Sequence, residues 1–185
     1  MPKSKITLPF ETNHYTALGR VMAQATALEA AIDTAIFRLL QVPEPIGRIM
    51  TTRRDITDKI KRLKALCGAV VTEEDPPGRI SQILGNAKAA IEDRNKLTHG
   101  LWALSEEGLP RAHRYEIGRH HLEHNSDDWT AEKIQAVANS LENAAGDVVD
   151  LLRILEPSGE IPWRNKPELP GLTRTQKSPS NARKG

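Results

Sequence analysis

The chain has 185 residues, of which 26 are Lys or Arg and 24 are Asp or Glu, so its formal net charge at pH 7 is +2. This balance excludes a nucleic-acid binder that works through bulk positive charge alone. A hydrophobic content of 38% with only 4% aromatics predicts a lean aliphatic core. The single cysteine excludes an intrachain disulfide framework and favours a reducing, cytoplasmic location. Because no apolar stretch has the length of a membrane span or a signal peptide, we expect no membrane partner.

Helical periodicity dominates the first third of the chain. Apolar residues recur at helical spacing over residues 18–40 without a proline, which predicts a long first helix that ends before Pro43. A short turn of helix is expected over residues 46–50. A second apolar face predicts a helix over residues 56–67 that stops at Gly68. The opposite face of this second helix carries the basic residues Lys59, Lys61, Arg62 and Lys64.

The middle and later parts of the chain add two more helical patterns. Apolar spacing predicts a third helix over residues 80–98 and a fourth over residues 134–155. Between them, residues 101–105 and 111–117 are β-capable and predict a hairpin, followed by a polar, His-rich loop. Residues 126–130 are rich in helix-capping side chains. We therefore expect an all-α fold, a four-helix up-and-down bundle with a small β-hairpin inserted between helices three and four.

The composition changes near residue 156. Residues 157–185 hold five of the twelve prolines and carry 6 Lys or Arg against 2 Asp or Glu, whereas residues 1–156 carry 20 against 22. We therefore expect one helical domain over residues 1–156, followed by a disordered, basic and Pro-rich tail. A protein that binds nucleic acid through this tail alone is a further functional alternative.

Two charged residues fall on the apolar faces of predicted helices. In a projection at about 100° per residue, Glu29 lies inside the apolar arc of the first helix and Arg94 inside that of the third. An unpaired charge facing a bundle core is strongly unfavourable. We therefore predict an ion pair between Glu29 and Arg94. The alternative is that one of the two lies at the edge of its arc and extends to water.

Three polar residues, Arg94, Asn95 and His99, lie near the end of the third helix, just before Gly100. Asn95 and His99 are four residues apart, so they share a helix face and can hydrogen-bond. Arg94 and His99 are about 140° apart on an ideal helix and converge only across a groove or in a frayed last turn. The helix dipole in this last turn favours a protonated imidazole at His99.

The spacing Arg-x4-His of Arg94 and His99, with Asn95 directly after the arginine, resembles the signature of the HEPN domain superfamily. The resemblance implies a metal-independent endoribonuclease, of a kind common in toxin–antitoxin and phage-defence systems, in which two protomers of a homodimer bring their motifs into one cleft. On this basis His99 acts as general base or acid at the ribose 2′-hydroxyl, and Arg94 stabilises the charged transition state. Asn95 orients His99 or the phosphate. Glu29 positions or neutralises Arg94 as its ion-pair partner.

The same resemblance also defines the alternatives. Leu101 stands where the nucleotide-transferring branch of the family has a tyrosine, two residues after the histidine, so nucleotidyl transfer is disfavoured. Because some HEPN domains are not nucleases, the alternative function is a non-catalytic dimerisation or RNA/nucleotide-binding module. A purely structural alternative has His99 capping the helix and Arg94 in a core ion pair. A toxin role would imply a cognate antitoxin as partner.

Other residues are weaker candidates. The side chains that could contact an RNA substrate are Lys96, Arg111, Arg114 and Arg119, although an ordinary charged surface would look the same. His120 and His124 have a spacing that fits a metal only on a helix, and we expect no metal site. Trp102 and Cys67 are interpreted as packing residues. Since the sequence has no phosphate-binding glycine loop, hydrolysis of nucleoside triphosphates is disfavoured. We expect no cofactor.

Overall fold

The computed structural model describes residues 10–70, 77–117 and 122–155. These residues form five α-helices and three β-strands. In chain order they are α1 (Thr12–Leu40), α2 (Glu44–Thr51), α3 (Ile56–Val70), α4 (Pro77–Thr98), β1 (Leu101–Leu104), β2 (Pro110–Ile117), β3 (Leu122–Asp128) and α5 (Ala131–Leu155). The fold is thus mostly helical, as predicted, with a small sheet. The predicted tail over residues 157–185 lies outside the described residues.

The ends of the helices follow local sequence signals. α1 ends where Gln41 adopts a left-handed conformation (φ 54°) and its backbone N–H donates to the carbonyl oxygen of Arg38. The short helix expected after Pro43 is α2. Asp55 caps α3, because its Oδ1 accepts a 2.7 Å hydrogen bond from the backbone N–H of Thr57. α3 continues past the predicted stop at Gly68, since a single glycine weakens a helix without ending it.

The core is aliphatic and lies between the four long helices. α1 packs against α3 and α5, and α4 packs against the same two helices. The largest fully buried side chains of the core include Leu28, Ile32, Leu63, Ile91, Ile134 and Leu141. Cys67 is also fully buried, and burial raises the pKa of its thiol to about 11, as suits a packing residue. None of the described helices is apolar over a length that could cross a membrane.

The directions of the helices differ from the predicted topology. The first turns of α1 and α5 lie side by side, because Asn13 and Ala131 border one surface depression. Further along, Arg20 makes a 2.6 Å ion pair with Glu142. α1 and α5 therefore run in the same direction, whereas the first and last helices of an up-and-down bundle of four run in opposite directions. The predicted up-and-down order is wrong for this pair.

The physical reason for this shared direction lies in α2 and the turn after it. Lys59, near the start of α3, contacts Glu29 in the middle of α1, whereas Leu66 borders a cleft together with Leu40 at the end of α1. α2 and its turn therefore carry the chain back along α1 before α3 begins. The sequence pattern indicated a short turn here but not the direction in which it leads the chain.

The sheet is antiparallel, with strand order β1-β2-β3. The hairpin of β1 and β2 was predicted, but β3 occupies the described part of the predicted His-rich loop, whose residues 118–121 lie outside the described residues. Two cross-strand ion pairs hold β3 to β2, Arg111 with Asp128 and Arg114 with Asp127. β3 thus forms through pairing with its neighbour and not through intrinsic β-propensity. Of the expected capping residues, Thr130 caps α5, because its Oγ1 accepts a hydrogen bond from the backbone N–H of Lys133 (3.3 Å).

The sheet packs on the C-terminal end of α4. Ala112 of β2 is buried there, and a Cβ at Gly100 would lie only 2.9 Å from the Cβ of Ala112, so a glycine permits this close approach. Trp102 Nε1 donates a 3.2 Å hydrogen bond to the carbonyl oxygen of Leu97 in α4. Its ring also contacts Phe10 with a centroid distance of 4.8 Å. Trp102 is therefore an anchor between the sheet and the helices, as its position in the sequence suggested.

Candidate active site

A cleft of about 530 Å³ opens between the last two turns of α4 and β2. Its lining residues are Glu92, Asn95, Lys96, His99, Arg114 and Tyr115. The register of the sheet explains why these two elements meet. Leu101 pairs with His113, so continuing the same register backwards brings His99 opposite Tyr115. The cleft therefore lies where the pairing of β1 with β2 stops and the end of α4 takes the place of β1.

Asn95 and His99 share this cleft, as their spacing of four residues predicted. His99 directly follows the last residue of α4 and is exposed, and its backbone N–H donates a 3.1 Å hydrogen bond to the carbonyl oxygen of Asn95. Within the described part of the chain, neither the amide side chain of Asn95 nor the imidazole of His99 makes a hydrogen bond. The imidazole therefore keeps both ring nitrogens available for a ligand.

The cleft has an excess of positive charge. Lys96 and Arg114 contribute two cations, against the single carboxylate of Glu92. Both cations also contact carboxylates that do not line the cleft. Lys96 Nζ lies 2.6 Å from Oδ1 of Asp93, and Arg114 lies 3.1 Å from Oδ2 of Asp127. These contacts hold the two cationic side chains beside His99.

Arg94 is not among the residues that line this cleft. It is half-buried on the core side of α4, near Ile91 and Leu97, which are both buried. Its Nε is buried and has no hydrogen-bond partner among the described residues. The separation of about 140° between Arg94 and His99 on a helix accounts for this result. Within one chain, the cations that share the cleft with His99 are instead Lys96 and Arg114.

The predicted ion pair between Glu29 and Arg94 is wrong. Lys59 Nζ donates a 2.8 Å hydrogen bond to Oε1 of Glu29 and a 2.9 Å hydrogen bond to Oδ2 of Asp33. Burial alone would lower the pKa of Lys59, but the hydrogen bonds to Glu29 and Asp33 outweigh it and raise this pKa. Glu29 therefore joins α1 to α3 and does not position Arg94.

Lys59 itself was assigned to the exposed face of its helix, and that assignment is also wrong, because the side chain is buried. The signal that would have found it was present in the sequence. Lys59 is three residues after Ile56 and four before Leu63, and both of these lie in the core. A position with this spacing belongs to the apolar stripe of the helix.

The basic residues near the hairpin do not all line the cleft. Arg114 reaches the cleft, whereas Arg111 is held away from it by two hydrogen bonds to the carboxylate of Asp128, at 2.6 and 2.8 Å. This charge-assisted contact raises the pKa of Arg111 and lowers that of Asp128. Arg119 lies outside the described residues.

The sequence interpretation did not include two lining residues, Glu92 and Tyr115. Glu92 is seven residues before His99 and so lies on the same helix face, which the spacing already indicated. Tyr115 follows from extending the hairpin register to His99.

Metal ligation has no support in the described ranges, which contain no group of three or more His, Cys, Asp or Glu side chains that could hold a metal ion. His124 lies on β3 and not on a helix, so the helical spacing considered for His120 and His124 does not apply. His120 lies outside the described residues.

Comparison of the chain with protein-family models, curated proteins and solved structures finds no significant match. The chemistry of the cleft is therefore the basis on which a function can be argued.

Proposed function

We propose that the protein is a metal-independent endoribonuclease of the HEPN type, with His99 as its catalytic residue and RNA as its substrate. We further propose that its four long helices form a HEPN-like bundle and that it acts as a toxin or phage-defence effector. The observation that carries the proposal is the cleft itself. It combines an exposed imidazole without a side-chain partner, two cations and the amide of Asn95.

The proposed chemistry needs only groups of this kind. His99 removes the proton from a ribose 2′-hydroxyl, whose oxygen then attacks the adjacent phosphate. The bond to the 5′-oxygen breaks, the 5′-oxygen takes up a proton from solvent water, and a 2′,3′-cyclic phosphate remains on the other product. Negative charge accumulates on the phosphate oxygens in the transition state, and Lys96 and Arg114, which line the cleft beside His99, stabilise it.

The purely structural alternative is less well supported. It requires His99 to cap the helix and Arg94 to form an ion pair in the core. Across the described ranges, His99 caps no carbonyl with its side chain and Arg94 enters no ion pair. The Nε of Arg94 is buried without a partner among the described residues, and such an unsatisfied polar atom is typical of a functional site because retaining it otherwise costs stability.

The resemblance assigns transition-state stabilisation to Arg94, which lies outside the single-chain cleft. We propose that a homodimer resolves this, with Arg94 of one protomer serving the cleft of the other. Two apolar residues directly after the motif support a second copy at this place, because Leu101 is 68% and Leu104 58% exposed. Apolar side chains exposed beside a polar site are a common feature of interfaces.

A second candidate function is a non-catalytic RNA-binding or dimerisation module. The position of Arg94 outside the cleft favours it, since the cleft then offers anion binding without the full motif. The two functions differ in whether phosphodiester bonds are broken. A toxin role further implies a cognate antitoxin that blocks the cleft.

The decisive experiment incubates the purified full chain with labelled RNA in excess EDTA. We expect cleavage by the wild type and its loss in His99→Ala. Asn86→Ala is the matched control, because Asn86 is exposed on α4 and does not line the cleft. If His99→Ala cleaves as well as Asn86→Ala, or if the wild type binds RNA without cleaving it, the ribonuclease proposal fails. In the second case the binding module remains.

A further inference from the structure

A column of three aromatic rings lies across β2 and β3. The rings of His113 and His124 lie nearly edge to edge in one plane, with a centroid distance of 5.2 Å and an interplanar angle of 6°. Tyr115 stacks on His124 at 4.9 Å and 26°. The register explains the column, since Tyr115 and His124 are directly paired and His113 is two residues before Tyr115 on the same face of the sheet.

The column reaches the candidate active site at Tyr115. This residue lines the cleft together with Lys96, His99 and Arg114, and 56% of it is exposed. His124 occupies one side of its ring. The two histidines have a positioning role, because His113 Nδ1 and His124 Nε2 lie 3.0 Å apart and are hydrogen-bonded. This contact fixes the ring of His124, against which the ring of Tyr115 lies.

We propose that Tyr115 stacks on an unpaired nucleobase of an RNA whose adjacent phosphate lies against Lys96 and Arg114. This inference rests on the proposed function and makes single-stranded RNA the substrate class. An exposed aromatic ring beside cations matches a nucleotide, which joins a flat π-face to a negative charge. An acidic peptide would satisfy the cations but leave the ring without a stacking partner.

Single-strandedness follows from the same geometry. A base inside a duplex is stacked between its neighbours and paired, so it reaches Tyr115 only after it is unstacked and unpaired. An unpaired base reaches the ring without that cost. Tyr115 therefore acts as a binding residue that selects unpaired RNA and places the phosphate next to His99.

The test measures RNA binding in the full-length His99→Ala background, where cleavage does not remove the ligand. The probes are a fluorescent RNA of about ten unpaired nucleotides, long enough to span a site of the usual size, and the same strand annealed to its complement. We expect Tyr115→Leu to weaken binding of the single strand by about fivefold to a hundredfold, the range for loss of one base–aromatic stack. Tyr115→Phe retains the ring and should bind like tyrosine. Tyr15→Leu, at an exposed tyrosine on α1, is the matched control.

The outcomes separate this inference from the proposed function. Unchanged single-strand binding in Tyr115→Leu overturns the stacking inference, and so does equal weakening in Tyr115→Leu and Tyr115→Phe, which would indicate a contact through the hydroxyl. Equal affinity of His99→Ala for the single strand and the duplex also overturns it. In each of these cases, cleavage by the wild type in EDTA would leave the proposed ribonuclease standing. Absence of both RNA binding and cleavage would remove the two proposals together.

Discussion

The ammonium group of Lys59 lies 2.8 Å from a carboxylate oxygen of Glu29, so α3 and α1 are joined by a charge pair at the edge of the core. Asp33 adds a second carboxylate at 2.9 Å. The side chain of Lys59 is only 4% exposed, and that of Asp33 15%. The cation therefore balances two carboxylates from one helix, and its removal would leave them facing each other.

The first prediction concerns this cluster. We expect Lys59→Met to lower the free energy of unfolding by about 3 kcal/mol, at the lower end of the range for breaking a buried ion pair because Glu29 is partly exposed. Urea denaturation measures this change. Lys61→Met, at an exposed position on the same helix, is the control. Adding Glu29→Gln and Asp33→Asn to Lys59→Met should restore part of the lost stability. A Lys59→Met variant as stable as the wild type would contradict the role of the cluster.

The second prediction concerns pH. The pKa of Lys59 is raised in the folded protein, so its contribution to stability is complete below the unfolded lysine pKa of about 10.4 and is lost as the pH rises through the folded value. The stability difference between wild type and Lys59→Met should therefore be constant from neutral pH to about one unit below this unfolded pKa and shrink as the pH rises above it. Urea titrations at several pH values measure it. A difference that stays constant to pH 12 would exclude the linkage.

The third prediction separates structure from catalysis at Arg94. Because Arg94 has no ion pair in the described residues and its buried Nε has no hydrogen-bond partner, Arg94→Met should change the free energy of unfolding by less than about 1 kcal/mol. RNA cleavage should fall by about a hundredfold or more, as expected when a charge-stabilising group is lost. Thermal unfolding and a cleavage assay on one preparation check both. A large loss of stability would show that Arg94 has a structural partner.

The fourth prediction tests the composite cleft. If Arg94 of one protomer serves His99 of the other, mixing inactive Arg94→Ala with inactive His99→Ala should restore part of the activity, because a heterodimer contains one intact site. Leu101→Glu should reduce both activity and dimer content, since it places a charge in the proposed interface. Light scattering follows the oligomeric state. A strictly monomeric wild type, or no recovery on mixing, would rule out the shared cleft.

Most of the helical structure could be predicted from the sequence, because each long helix buries one stripe and the apolar residues record that stripe at helical spacing. β3 could not be predicted, since its sequence is polar. Its residues are held by pairing with β2 and by contacts such as that of Asp128 with Arg111. The relative directions of α1 and α5 could not be predicted either, because the periodicity within one helix says nothing about the direction of the helices packed against it.

The candidate site likewise has residues that the sequence predicts and residues that only the packing brings together. The residues on one face of α4, Asn95, Lys96 and His99, follow from spacing alone, and the angular separation of Arg94 already indicated that it points elsewhere. Arg114 and Tyr115 enter the cleft only because the sheet folds back on the end of α4. The partner of Glu29 was misassigned because two basic residues, Arg94 and Lys59, occupy core-facing positions and only packing decides between them.

The shared direction of α1 and α5 has a practical consequence for handling the protein. Both helices begin at the end of the molecule where Trp102 meets Phe10, close to the sheet. With 25 residues at 1.5 Å each, α5 ends about 38 Å away. A fluorophore attached to the last turn of α5, for example at the exposed position of Arg153, therefore lies at the far end of the molecule from the sheet.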